Sequence, residues 1–334
     1  MWQFRKILLP FSWLYGWVIR LRHLLYDKGF IKAKSYSIPI ICIGNLSVGG
    51  TGKTPMTEYF INLLKTDFNI AVLSRGYKRK SKGFLLADQK TTVEMLGDEP
   101  FQYYTKFKGV HVAVDADRQH GIETLQKLCN PDCVILDDAF QHRKVVAGMN
   151  ILLTTYNDLY VDDLLLPAGN LRDVVNRADN ADVIVVTKCP EKLSKEDKDL
   201  VTKRIGLCQH QKIYFSKIVY STLIYSERER HSLAFLKGKT FTLVTGIANP
   251  QPLTSYLESL GLVFEHIDYP DHHHFSEKEI GILKERSLIL TTEKDYVRLK
   301  GRVDNLFFLP IHNEFLFEEG GDFDHEVLNY IKKA

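Results

Sequence analysis

No Cys-x-x-Cys pair occurs among the five cysteines, Cys42, Cys129, Cys133, Cys189 and Cys208, and their number is odd. That argues against a zinc ribbon and against a disulfide framework, and points to a reducing compartment. No apolar run reaches the roughly 20 residues needed to span a bilayer. The longest uncharged stretch near the start, 7–19, has 13 residues and contains Pro10. No internal repeat or low-complexity tract breaks the 334 residues. Excess charge of one sign is also missing, since the formal net charge is only +3. Even that is local: residues 1–34 hold seven Lys/Arg against one acid, a net of +6, which leaves −3 for the rest. A basic face wide enough for nucleic acid is therefore not expected.

Tryptophan is scarce and concentrated. All three, Trp2, Trp13 and Trp17, lie in this basic segment. Leu14, Trp17, Val18, Leu21, Leu24 and Leu25 recur at helical spacing, with Arg20, His23 and Asp27 on another face. An apolar stripe flanked by Arg5, Lys6, Arg20, Arg22, Lys28, Lys32 and Lys34 predicts a helix lying in an anionic membrane interface. Packing of the same helix on the domain is the competing expectation. A secretory signal is disfavoured, because no small-residue cleavage site follows.

After residue 38, short apolar runs alternate with helical patterns. The runs are 38–43, 70–73, 110–114, 133–136, 151–153 and 183–186, with helices expected over 56–65 and 119–128. Continuous apolar strands alternating with helices predict a parallel sheet covered on both faces. The charged stretch 191–203, the strand-like piece 213–225 and the polar run 226–231 read as a hinge. A smaller α/β unit is expected from 240–245 onward. The division predicted is a helix over 1–34, a P-loop domain over 35–215, and hinge strands with a second domain over 216–334.

The most specific motif is Ser47-Val48-Gly49-Gly50-Thr51-Gly52-Lys53-Thr54, set between a predicted strand and a predicted helix. Its glycines, with Thr51, let the backbone turn its N–H groups toward phosphate oxygens. Lys53 reaches the β- and γ-phosphates, and the Thr54 hydroxyl can bind Mg²⁺. Ser47 stands where this loop usually begins with glycine. The strand 133–136 ends in Asp137 and Asp138, the acidic pair expected near the Mg²⁺ of ATP. Gly97-Asp98-Glu99-Pro100 is a second acidic site, although acids are also favoured at any helix N-terminus. Arg75, Arg118 and Arg172, with Asn170, follow later strands, where α/β ligand loops lie. Asp271-His272-His273-His274 could serve as an acid–base element or a structural loop. Zinc is disfavoured there, because no second ligand cluster stands at a familiar spacing.

In this order the motifs resemble the tetraacyldisaccharide 4′-kinase family of bacterial lipid A synthesis. The likeness runs from the Trp-rich helix through Gly44-Asn45-Leu46-Ser47 and the glycine loop to Pro55, then Ser74-Arg75-Gly76-Tyr77 and Gly97-Asp98-Glu99-Pro100. It continues through Asp137-Asp138-Ala139-Phe140-Gln141-His142-Arg143, Pro167-Ala168-Gly169-Asn170-Leu171-Arg172-Asp173, Asp271-His272-His273 and Thr292-Glu293-Lys294-Asp295. The resemblance implies an ATP- and Mg²⁺-dependent kinase acting on the 4′-hydroxyl of a lipid substrate. It implies a peripheral position on the cytoplasmic face of the bacterial inner membrane, and two α/β domains closing around nucleotide. By resemblance, Lys53 and the loop hold ATP, while Thr54, Glu99, Asp137 and Asp138 hold Mg²⁺. Asp98 is the base, supported by His272 or His273. Arg75, Arg118, His142, Asn170 and Arg172 face the substrate. Ala139 and Asp173 depart from the family's usual Gly and Glu. A GTP-driven switch would need a guanine-reading Asn-Lys-x-Asp, which Thr187-Lys188-Cys189-Pro190 lacks. A membrane ATPase scaffold and a kinase of another amphiphile stay open on residue chemistry.

Overall fold

The computed structural model describes residues 5–333, so Trp2 lies outside the described residues. Nine strands form the larger sheet in the order β15-β8-β7-β6-β1-β5-β2-β4-β3. Its centre is β1 (Ile40–Asn45), parallel to β5 (Cys133–Asp137) on one side and β6 (Met149–Thr155) on the other. On the β5 side lie β2 (Ile70–Ser74), β4 (His111–Val114) and the short antiparallel β3 (Leu85–Leu86). On the β6 side lie β7 (Val183–Thr187), β8 (Lys212–Tyr220) and the antiparallel β15 (Ile311–Phe315).

Side chains alternate across this sheet. Ile41 and Ile43 join one core with Met56, Phe60, Ile61 and Phe323, from α2 (Lys53–Leu64) and α10 (Gly320–Lys333). Ile40 and Cys42 join the opposite core with Ile122 and Leu125 of α5 (Arg118–Cys129). Both faces are therefore covered, which explains why the strands read as unbroken apolar runs. The strand order reverses at β1, and the loops after β1, β2, β4 and β5 gather at that switch point.

The smaller sheet has the order β10-β9-β14-β13-β11-β12. Its parallel part is β11 (Phe241–Thr245), β12 (Phe264–Asp268), β13 (Ile289–Thr292) and β14 (Leu306–Leu309). The short strands β9 (Leu223–Tyr225) and β10 (Arg230–Ser232) close one edge. Helix α9 (Glu293–Leu299) leaves β13 directly and packs against α4 (Asp98–Lys106) of the larger sheet.

Two expectations require correction. The charged stretch 191–203 is not a hinge: it contains most of α6 (Lys195–Ile205), and Leu193, Val201 and Ile205 pack in the larger sheet's core. The division at 215/216 falls inside β8, and β15 with α10 returns to the larger sheet. A linear reading of texture could not show that the chain leaves the first sheet after Tyr220 and comes back at Ile311.

Helix α1 (Leu9–Asp27) packs through a narrow face of Ser12, Gly16, Ile19 and His23. The Ser12 hydroxyl donates to the Leu165 carbonyl at 2.9 Å and accepts from the Ala168 N–H at 3.0 Å. A side chain at Gly16 would meet Leu165 at 2.6 Å, so glycine permits the close approach. The apolar stripe points away. Trp13 is 70% exposed and Trp17 62%, and Phe11, Leu14, Val18, Leu21 and Leu24 are exposed beside them. Domain packing therefore does not use this stripe. Among the described residues no helix is long and apolar enough to cross a membrane.

Candidate active site

The phosphate loop turns at Gly49 and Gly52, whose φ angles of 110° and 85° belong to the left-handed region. Ser47 needs no such freedom, because it is held extended in a bridge to Leu171. That explains how the loop tolerates serine at its first position. The loop is braced from outside: Val48 N–H donates to the Asn170 carbonyl and the Thr187 hydroxyl to the Thr51 carbonyl, both at 2.8 Å. The Thr51 hydroxyl is buried without a partner among the described residues, an open polar group inside the glycine turn. Lys53 and Thr54 open α2. The Lys53 ammonium donates to Asn45 Oδ1 at 3.3 Å and lies 3.8 Å from Asp138.

Because β1 and β5 are neighbours in parallel register, Asp137 and Asp138 end up beside this loop. Asp137 is fully enclosed, bonded by Thr57 at 3.3 Å and Tyr103 at 3.4 Å. Burial, then repulsion from Asp138 and Glu99, pushes its carboxyl up to about 7. Burial works against Asp138 too, but Lys53 and Arg172 outweigh it and hold that carboxyl below its ordinary range. Arg172 makes a fork on Asp138, at 2.8 and 3.3 Å. Three mutually repelling carboxylates with hard oxygen donors suit a divalent cation such as Mg²⁺, which would relieve the strain on Asp137.

The acceptor side is built between the two sheets. Asp98 opens α4, and His272 reaches it from the loop after β12, with Nδ1 at 3.0 Å from Asp98 Oδ2. Lys294 donates to His272 Nε2 at 3.1 Å, which leaves Nδ1 as the protonated nitrogen that donates to Asp98. His273 faces elsewhere: it lies 3.0 Å from Glu279 and stacks on Tyr269. His274 is exposed. The structure thus brings His272, and not His273, to Asp98. Burial disfavours the charged form of Asp98, but His272 and Arg298 prevail and hold its carboxyl down at about 2. Oxygen and nitrogen donors of Asp98, Glu99 and His272 also lie within 4.8 Å of one another. The adjoining cations Arg298 and Lys294 make that gathering a poor cation site.

Arg298 and Lys106 were not singled out by the sequence, and Lys294 entered only within the motif Thr292-Glu293-Lys294-Asp295, with no role assigned to it. The signal available was positional. Thr292 caps α9 by accepting from Asp295 N–H at 3.2 Å, which puts Lys294 and Arg298 at i and i+4 on one face. Asp295 accepts from Gly246 N–H at 2.9 Å, and the Gly246 carbonyl in turn accepts from His272 N–H at 3.3 Å. His272 sits at φ 61°, a conformation this tether supports.

Among the residues expected to face substrate, Arg118 is buried and burial lowers its guanidinium to about 10. Burial, helped by Arg118, lowers His142 to about 4, so its ring is neutral at pH 7. Its Nε2 is buried and has no partner among the described residues. Arg75 is exposed. The Asn170 side-chain oxygen accepts from Arg5 at 2.9 Å. Asp173, the departure from the family's Glu, bonds His23 of α1 at 2.6 Å and its own neighbour Val174 N–H at 2.8 Å. The shorter arm is matched by a histidine that reaches in.

Lys106, at the end of α4, bridges Glu58 of α2 and Glu293 of α9, each at 2.7 Å. Both carboxylates are buried. Burial raises the carboxyl of Glu58 to about 7, a direction Glu293 reinforces and Lys106 opposes. Lys106→Met would leave two buried acids without their cation, a loss of about 3 kcal/mol or more. Urea unfolding checks this; an unchanged midpoint would contradict it.

A profile of the family described as Tetraacyldisaccharide-1-P 4'-kinase matches residues 4–332. The tetraacyldisaccharide 4'-kinase of Flavobacterium johnsoniae is 48% identical, with 98% of each chain covered. That of Bacteroides thetaiotaomicron is 43% identical, over 99% of this chain and 94% of its own. A crystal structure of an "apo" form of LpxK from Aquifex aeolicus in complex with ATP superimposes with a TM-score of 0.79 at 32% identity, covering 98% of this chain and 99% of that one.

Proposed function

The chain belongs to the tetraacyldisaccharide-1-phosphate 4′-kinase family, and on that premise we propose how its residues divide the reaction. It is a kinase of lipid A biosynthesis that transfers the γ-phosphate of ATP to the 4′-hydroxyl of a tetraacyldisaccharide 1-phosphate. The observation that carries the assignment is the facing of two half-sites. The glycine loop with the Asp137–Asp138 pair lies on one side, and the Asp98–His272 contact on the other.

Gly49, Gly50, Thr51 and Gly52 cradle the phosphates with backbone N–H groups, and Lys53 draws charge from the β- and γ-phosphates. Thr54, Glu99, Asp137 and Asp138 would hold Mg²⁺, which supplies charge neutralisation on the phosphates when bound. Asp98 accepts the proton of the 4′-hydroxyl as that oxygen attacks phosphorus and the bond to the β-phosphate oxygen breaks. A carboxyl held near 2 is a weak base. Phosphoryl transfer asks little basicity, because its loose transition state forms before the nucleophile is fully deprotonated. Asp98 then acts chiefly by orienting the hydroxyl, and His272, locked by Lys294, keeps the carboxylate ionised and aimed. Arg118, Arg172, Arg75, Asn170 and the neutral His142 are assigned to the anionic, hydroxyl-rich headgroup. Asp98→Ala lowers transfer of γ-labelled phosphate by about 10²-fold or more while nucleotide still binds. Undiminished transfer would remove Asp98 from the mechanism.

The exposed stripe of α1 gives the enzyme its place. Trp13, Trp17, Leu14 and Leu21, flanked by Arg5, Arg20 and Arg22, enter an anionic interface and leave the substrate's acyl chains in the bilayer. We assign the enzyme to the cytoplasmic face of the bacterial inner membrane, where ATP is available. Replacing Trp13 and Trp17 together by serine weakens sedimentation with anionic vesicles about 10-fold or more and leaves the melting temperature unchanged. Vesicle binding equal to wild type would place the anchor elsewhere.

A further inference from the structure

Arg298 is buried, with a side chain only 7% exposed, and it bonds one group across the domain boundary and one within its own domain. Its Nε donates to Asp98 Oδ1 at 2.7 Å and its Nη2 donates to Oδ2. Its Nη1 donates to the carbonyl of His273. One planar fork therefore grips the carboxylate on α4 and the backbone of the loop that presents His272. An ionised carboxylate offers about four lone-pair directions. Arg298 takes two and His272 a third, which leaves one for an incoming hydroxyl.

We propose that Arg298 is a positioning residue for phosphoryl transfer, fixing the rotation of the Asp98 carboxylate and the seat of His272 so that a single oxygen lone pair meets the acceptor hydroxyl. This rests on the reading of Asp98 as the group that receives the hydroxyl. A simple strut between domains would need no fork. The domains are already tied by Lys106, which joins Glu58 to Glu293 across the boundary, and by the approach of Lys294 to Glu99 at 4.0 Å. Closure thus has other support, and the guanidinium is spent on orientation. Lysine, a single-point donor, cannot hold both carboxylate oxygens and the His273 carbonyl in one plane.

A double-mutant cycle on the full-length enzyme separates orientation from support. It uses ATP and tetraacyldisaccharide 1-phosphate in detergent micelles. Arg298→Gln is expected to lower kcat about 30-fold or more, with the KM for ATP within about threefold of wild type. In an Asp98→Ala background the same change is expected to cost less than about threefold, because the residue acts through Asp98. Arg298→Lys should recover only part of the loss, and it carries the same cycle should Arg298→Gln fail to fold. A kcat for Arg298→Gln within threefold of wild type overturns the proposal. So does an equal fractional loss with and without Asp98, the mark of a merely structural part. Wild-type turnover by Asp98→Ala alone would instead sink the base assignment on which the proposal stands.

Discussion

The parallel pairing of β1 with β5 is the constraint from which the site follows. It sets Ile43 opposite Asp137, so the chain that leaves β1 as the phosphate loop emerges beside the acidic pair that leaves β5. Neither element could do phosphate chemistry alone. Glycine turns bind anions without selecting among them, and a buried aspartate pair is costly unless cations answer it. Together, with Lys53 and Arg172 in reach, they make a charge-balanced half-site. The neighbouring strands hold this pair in place, and the helices packed on both faces cover it from solvent.

The second half-site needs a second sheet, and α9 is the piece that joins them. Its capped first turn places Glu293, Lys294 and Arg298 against α4, and each answers a group of opposite charge or a ring nitrogen there or nearby. Lys106 extends the same network to α2, the helix that begins at Lys53. The nucleotide side and the acceptor side are therefore linked by buried charge. Such contacts are directional, since a lost partner leaves an expensive buried charge. On the proposed assignment, water exclusion and alignment of the two reactants would arrive in one step, the arrangement a kinase requires to favour a sugar hydroxyl over water.

Much of this was legible in the chain itself. The unbroken apolar runs that became β1, β2, β5 and β7 carry the mark of a sheet buried on both faces, and the glycine loop names its own position between strand and helix. The order of the motifs pointed to the family. What stayed hidden depended on long-range geometry. Nothing in the spacing of 271–274 tells which histidine reaches Asp98, because that choice is made by the Gly246 tether and by Tyr269 stacking on His273. Arg298 looks like an ordinary cation on a short helix until α9 is docked on α4. The return of β15 and α10 to the first sheet was hidden for the same reason: antiparallel pairing with β8 is set by tertiary packing. In α1 the helix was legible, but the face that packs is a mostly small and polar one, Ser12, Gly16 and His23 with the single apolar Ile19, which a search for apolar stripes passes over.

The account's central claim is that these two half-sites meet on one acceptor oxygen. The most direct test is to let the wild-type chain turn over tetraacyldisaccharide 1-phosphate with ATP and locate the new phosphate on the isolated lipid by phosphorus–proton correlation NMR. A single new phosphomonoester coupled to the proton on C4′ is the predicted result. Phosphate at another hydroxyl, or release of inorganic phosphate with no lipid product, would contradict it.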